Sequence, residues 1–214
     1  MKEIWSRFSS LLQSPYGTLE LSIIFIIVLC ACAVFTSILI NFIESRQRPK
    51  ASRERKSIVT TATMTVFFIG FYLVIRLGIG GIVISNIALR VAFALSGTFM
   101  VIAGTIINIR GRLMLGVNWA DQVKIYDDQT LVSKDIYSLV RHPLYSSLML
   151  IFYGGSLIYL NWLAFLANSL IFIPFMYYRA KQEESLLIER FSQYRDYQKK
   201  VGMFFPRLTR RQER

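Results

Sequence analysis

Four stretches of this chain, residues 21–40, 57–75, 91–109 and 143–178, hold no charged side chain. A hydrocarbon core about 30 Å thick takes roughly 20 apolar residues to cross as a helix. The first three runs are close to that length. The fourth is longer and is interrupted near its middle by Tyr-Gly-Gly-Ser-Leu-Ile-Tyr-Leu-Asn-Trp at 153–162. A backbone in lipid must satisfy its own polar groups, which selects helices. The pattern predicts an all-α membrane protein with about five transmembrane helices, over residues 20–43, 57–76, 88–109, 143–159 and 162–178. The last two form a tight hairpin around Asn161 and are short enough to require tilt or local thinning of the bilayer.

The basic residues set the expected orientation. Arg46, Arg48, Lys50, Arg53, Arg55 and Lys56 follow the first span, and Arg110, Arg112, Lys124, Lys134 and Arg141 follow the third. The tail from Arg179 is also densely basic, whereas Arg76 and Arg90 alone flank the second loop. The positive-inside bias then puts the N-terminus outside and the three rich segments in the cytoplasm. The net charge of +12 is explained by these flanks and by anionic headgroups, so nucleic acid is not expected as a partner; the lipid bilayer is. Cys30 and Cys32 lie two residues apart inside the first apolar run and match no zinc spacing, so no metal is expected. That run is too long for the core of a signal peptide and reads as a retained span.

No repeat or low-complexity segment is visible. The chain divides into an N-terminal region, 1–109, with three spans, and a region 110–214 in which the patterned polar residues concentrate. Residues 1–18 suit a short interfacial helix ended by a turn at Ser-Pro-Tyr-Gly, 14–17. Arg-Leu-Gly-Ile-Gly-Gly at 76–81 lacks the strand and helix of a dinucleotide fold and reads as a flexible connector. Leu187, Phe191, Tyr194 and Val201 recur at helical spacing and predict a C-terminal amphipathic helix that folds back on the core. Glu183 heads that stripe, and Glu184 lies beside it.

The single histidine stands in Arg-His-Pro-Leu-Tyr, 141–145. Proline suits a first helical position, so Pro143 is expected to open the fourth span. Arg141 and His142 then flank a helix N-terminus, where free N–H groups and the dipole favour an anion. Tyr145 adds a flat ring with a polar tip. Taken alone, these residues suit equally an arginine anchored among headgroups beside a water-facing histidine. Glu183 and Glu184 suit either a ligand ammonium and hydroxyls or an exposed helical turn. The segment between, 110–140, is long for a loop, and its Trp119, Val123, Ile125, Leu131, Val132, Ile136 and Tyr137 predict an ordered cytoplasmic cap that excludes water from a membrane-embedded site.

In order, Leu115-Gly116-x-Asn118-Trp119, Leu131-Val132, Tyr137-x-x-x-Arg141-His142-Pro143-x-Tyr145, Glu183-Glu184-x-x-Leu187, Tyr194, Tyr197 and Pro206 resemble the isoprenylcysteine carboxyl methyltransferase and phospholipid methyltransferase group of integral membrane enzymes. Two departures stand out. Asp135-Ile136 replace the group's Gly-Pro, and Ser147 replaces its glycine. The resemblance implies a methyltransferase that takes S-adenosyl-L-methionine between the ends of the last helices and the cap, acting on a lipophilic methyl acceptor such as an isoprenylcysteine-type carboxylate or a phospholipid amine. It implies cofactor-binding roles for Leu131, Val132, Tyr137, His142, Tyr145, Glu183 and Glu184, with Glu184 the family contact although the apolar stripe favours Glu183. Arg141, Tyr145 and Arg179 are the catalytic candidates, Arg179 being placed to hold an acceptor carboxylate or phosphate. A sterol-reductase-like enzyme and a non-catalytic membrane scaffold are the alternative readings, and the oligomeric state is not readable.

Overall fold

The computed structural model describes residues 15–46, 53–54, 61–119, 124–125 and 129–207. Helix α1 is Pro15–Arg46, α2 is Thr61–Arg76, α3 is Ile87–Leu115 and α4 is Pro143–Ile158. Helix α5, Trp162–Ala167, runs through a π turn at Asn168–Phe172 into α6, Ile173–Arg190, and α7 is Tyr194–Lys200. Short 3-10 turns occur at Gly116–Asn118 and Asp135–Ser138. A two-residue antiparallel pair joins β1, Arg53–Glu54, to β2, Lys124–Ile125.

Three helical runs, Tyr16–Glu44, Ile87–Asn118 and Trp162–Arg190, are long and apolar enough to cross a membrane, and Ala62–Arg76 and Pro143–Ile158 are shorter apolar helices. Large apolar side chains such as Phe25, Val66, Phe99 and Leu170 remain on the outside. In water such a surface marks an interaction site; on a chain of this composition it is the face offered to lipid.

Helices α3 and α4 form the tightest contact. Gly97, Gly104 and Gly111 fall on one stripe of α3 at heptad spacing. A Cβ on Gly97 would lie 2.5 Å from the Gly154 carbonyl oxygen, and one on Gly104 would lie 2.7 Å from that of Ser147. Small residues at a helix interface let the backbones approach, which is the main source of helix association in lipid. Ser147 is compatible with this packing: it is fully buried, and its hydroxyl accepts from Asn108 Nδ2 at 2.8 Å. Helix α1 packs on α3 from the other side. Helix α2 brings Phe67 and Phe71 against Phe152 of α4 at 5.3 and 4.6 Å between ring centroids, and Phe152 meets Phe172 at 4.8 Å. Such aromatic pairs contribute about 0.5–1.5 kcal/mol each beyond area burial.

Asn161 organises the expected hairpin. Its side chain caps α5 by accepting from Ala164 N at 2.9 Å and donates to the Ile79 carbonyl at 2.9 Å. Backbone bonds from Ile82 N to Leu160 O and from Trp162 N to Gly80 O complete the junction. The glycine-rich segment expected to be a flexible connector is therefore an ordered turn, with Gly78 and Gly80 at φ 68° and 76°. Three other expectations change. Pro15 begins α1, so the turn expected at 14–17 is the first turn of the helix, where proline costs nothing; residues 1–14 lie outside the described residues. The helix of the fifth span does not stop near 178 but runs unbroken to Arg190, and a π turn precedes Pro174, with Ile173 N bonded to Asn168 O. The stripe Leu187–Phe191–Tyr194–Val201 is not one helix. It breaks at Phe191, which adopts φ −119° and ψ 108°, and α7 turns back toward the start of α4.

Candidate functional site

The site is assembled where α4 begins and α6 ends. Pro143 occupies the first turn of α4, with His142 at the N-cap. The backbone before it is pinned by the C-terminal segment: Arg141 N donates to Gly202 O at 2.8 Å and His142 N to Met203 O at 3.0 Å. Ser146 Oγ donates to the Phe204 carbonyl at 2.7 Å. Arg141 Nη1 donates to the carbonyl of Gln198 at 3.2 Å and to that of Val201. The end of the chain thus fixes the Arg-His-Pro motif in place. Gly202 is required at the junction, since a Cβ there would meet the Phe205 carbonyl oxygen at 1.9 Å.

The two glutamates take different roles. Successive residues on a helix are rotated by about 100°, so Glu183 and Glu184 face different surroundings. Glu184 is buried and accepts from Arg141 Nε at 2.7 Å, His142 Nε2 at 3.2 Å and Gln198 Nε2 at 2.8 Å. Glu183 accepts from the Tyr145 hydroxyl and from Arg179 Nε at 3.2 Å, and it lies 3.6 Å from His142 Nδ1. Both nitrogens of His142 therefore point at carboxylate oxygens. Two carboxylates facing the ring favour its charged form over the neutral one. Burial lowers the His142 pKa, but the hydrogen bonds and charges of Glu183 and Glu184 outweigh it and hold the pKa above its ordinary value. The imidazole stacks with Tyr145, 5.5 Å away and 8° from parallel. Burial pushes the Tyr137 hydroxyl well above its usual range, so Tyr137 stays neutral.

A cavity of about 410 Å³ lies beside this network. Its polar wall carries Tyr137, Arg141, His142, Tyr145, Arg179 and Glu183. Leu131 and Val132, from the end of the cap, line another part. Glu184 does not line the cavity; it sits behind the wall as the buried counter-charge of Arg141 and His142. Of the residues singled out in the sequence, all but Glu184 therefore converge on one space, although they come from three separate segments. In the cap, Asn118 closes the loop on itself: its Oδ1 accepts from Thr130 N at 2.9 Å, and its carbonyl accepts from Gln129 Nε2 at 3.3 Å. Trp119 packs edge-on to Phe42 of α1 at 5.0 Å. Val123 lies outside the described residues.

Several lining residues were not singled out from the sequence as site residues. Phe35, Ile38 and Phe42 of α1 and Met64 and Phe68 of α2 supply an apolar wall. In sequence they are indistinguishable from lipid-facing residues. Arg112 of α3 also lines the cavity and is part of a buried polar chain, donating from Nε to Asn108 Oδ1 at 2.9 Å and from Nη1 to Asn41 Oδ1 at 3.1 Å. The signal for that chain was present: Asn41 and Asn108 sit at the ends of apolar runs, where polar side chains are costly unless paired.

Comparison with known proteins places this arrangement. Residues 97–189 match the family described as the isoprenylcysteine carboxyl methyltransferase (ICMT) family. A methanethiol S-methyltransferase from Pseudomonas deceptionensis is 37% identical over 76 residues, covering 35% of this chain and 28% of that protein. The solved structure of a eukaryotic intramembrane Ras methyltransferase, ICMT, superposes with a TM-score of 0.55 at 24% identity, over 70% of this chain and 54% of that one. The chain thus spans about half of the solved relative and matches less than a third of the curated one. The fold and the multiple apolar helices are those of an integral membrane protein.

Proposed function

We propose, from the premise that residues 97–189 belong to the isoprenylcysteine carboxyl methyltransferase family, that this protein is an S-adenosyl-L-methionine-dependent membrane methyltransferase. The observation that carries the reading is convergence. Leu131, Val132, Tyr137, Arg141, His142, Tyr145, Arg179 and Glu183, scattered over three segments, line one cavity. The donor set fits the cofactor. A volume of about 410 Å³ is within the roughly 300–1,000 Å³ of small-molecule sites, and the wall offers apolar surface, a carboxylate and cations together.

The cofactor would supply a methyl group already attached to a sulfonium leaving group. Leu131 and Val132 hold the adenosine through backbone groups and apolar contact. Glu183, oriented by Tyr145 and Arg179, accepts from the ammonium or from ribose hydroxyls. The Tyr145 ring packs beside the reacting end. Glu184, behind the wall, holds Arg141 and His142 in place, and His142 in turn faces Glu183. Arg179 holds an acceptor carboxylate or phosphate. The cap and the α1–α2 phenylalanines exclude water, which matters because alignment at about 3–3.5 Å and desolvation of the nucleophile are the protein's main contributions to such a displacement.

The apolar wall supports a lipophilic acceptor reached from the bilayer, either an isoprenylcysteine-type carboxylate or a phospholipid amine. A second reading, a small thiol, is favoured by the methanethiol S-methyltransferase relative. There Arg179 stabilises the thiolate and Glu183 takes the proton. We place the site on the cytoplasmic side and the N-terminus outside, from the distribution of Lys and Arg. The test uses purified protein in lipid nanodiscs with methyl-labelled donor and three acceptors in parallel: a farnesylated N-acetylcysteine, phosphatidylethanolamine and an alkyl thiol. Label in one product names the acceptor class. No binding of S-adenosylhomocysteine by calorimetry, with no label in any product, overturns the reading in favour of a scaffold.

A further inference from the structure

The cations around the cavity are not equivalent. Arg141, His142 and Arg179 each meet a glutamate oxygen, at 2.7, 3.2 and 3.2 Å. Arg112, on the α3 wall, meets none among the described residues. Its partners are the neutral amide oxygens of Asn108 and Asn41, at 2.9 and 3.1 Å, and the face of Trp119, 5.6 Å from the guanidinium carbon. These contacts orient the group without cancelling its charge. A guanidinium carries five N–H donors in a fixed plane; one on Nε and one on Nη1 are used, and among the described residues Nη2 has no hydrogen-bond partner. Arg112 is nevertheless only 9% exposed, in the last turn of a helix that is uncharged from Val91 to Ile109. A buried charge without an opposite charge is costly, and an ionisable residue in such a helix marks a ligand path by default.

We propose that Arg112 is the anion-recognition residue of the cavity and that it binds a ligand carboxylate through Nη2 and the remaining N–H of Nη1. Asn41 and Asn108 act as the clamps that aim the free edge of the guanidinium. An amino-acid group needs one anion and one cation. Glu183 supplies the first, and Arg112 is the cation of the wall whose charge no carboxylate among the described residues takes. The inference rests on the reading of the cavity as a methyltransferase site. A carboxylate can come from two sources, the amino-acid end of the donor or the acceptor.

Calorimetry on the full chain in detergent separates them. S-Adenosylhomocysteine carries the amino-acid end, and methylthioadenosine lacks it. For Arg112→Gln, S-adenosylhomocysteine should bind at least tenfold more weakly and methylthioadenosine unchanged, the latter also showing that the variant is folded. Arg112→Lys keeps the charge but not the planar fork and should fall between. If S-adenosylhomocysteine is unaffected while farnesylated N-acetylcysteine weakens and its methyl ester does not, the acceptor supplies the carboxylate and the proposal stands. If Arg112→Gln loses both nucleosides, Arg112→Lys decides, and wild-type affinity there for every carboxylate overturns the proposal. Unchanged affinity for all ligands in both variants overturns it too and leaves Arg112 as a structural cation. If the wild type binds neither nucleoside, the donor reading fails, and the acceptor pair alone decides Arg112.

Discussion

Replacing Glu184 by alanine tests the division of labour between the two glutamates. The carboxylate is the buried counter-charge of Arg141, whose side chain is 8% exposed against 3% for Glu184. It also accepts from His142 and Gln198. When it is removed, His142 can shed its proton and keep one contact with Glu183, but Arg141 cannot deprotonate. Breaking a buried ion pair by deleting one partner costs about 3–5 kcal/mol. For a chain of this size, 1 kcal/mol moves the melting temperature by about 2–4 °C, so a fall on the order of 10 °C is expected. Near-UV circular dichroism in detergent follows it. Glu184 does not line the cavity and Glu183 does, so Glu183→Gln, which also removes the Arg179 ion pair, should add to its cost in stability a loss of S-adenosylhomocysteine affinity of roughly tenfold, as for a hydrogen bond to a charged group. Adding Arg141→Ala to Glu184→Ala should cost less than the sum of the two single changes, since the second removes a group the first has stranded. A Glu184→Ala protein that melts within about 2 °C of wild type would refute the assignment of Glu184 as counter-charge.

The raised pKa of His142 sets a pH dependence. A group whose folded pKa lies above its unfolded value, about 6.5, stabilises fully below that value and loses the contribution as pH rises through the folded pKa. The melting temperature of the wild type should therefore fall with rising pH above about 6.5 relative to His142→Gln, measured in parallel. Gly202→Ala drives a Cβ into the Phe205 carbonyl and should free the C-terminal segment from Arg141 N and His142 N, at about 1 kcal/mol per lost bond. Faster tryptic cleavage at Lys199 and Lys200 reports it. Asp135 holds φ +52° at an exposed position, so Asp135→Gly should leave the melting temperature unchanged or raise it, whereas Asp135→Val should destabilise the fold by about 1–2 kcal/mol, read by the same melt.

Local signals in the sequence were enough for the helical elements and for the start of α4. The apolar runs predicted the helices, and the proline of Arg-His-Pro predicted the start of α4 that presents His142. The stripe argument picked Glu183 as inward-facing and the family resemblance picked Glu184. Both are engaged, but 100° of helical rotation divides them between cavity and interior, and that division needs the position of Arg141, 43 residues earlier in the chain. What was hidden is what depends on pairing at long range. Arg112 counted as one more loop charge because the third span was taken to end at 109. Its helix continues to Leu115, which carries Arg112 inward to Asn41, 71 residues away. Likewise the break at Phe191 is not encoded in the apolar spacing of 187–201. It follows from the docking of residues 202–204 beside Arg141 and His142, which draws α7 back across the end of α6. The motif and the tail are thus parts of one device. The arginine and histidine cannot hold the glutamates unless the C-terminal strand segment holds their backbone, so substitutions at Gly202, outside the cavity, should act on ligand affinity through the same imidazolium as substitutions within it.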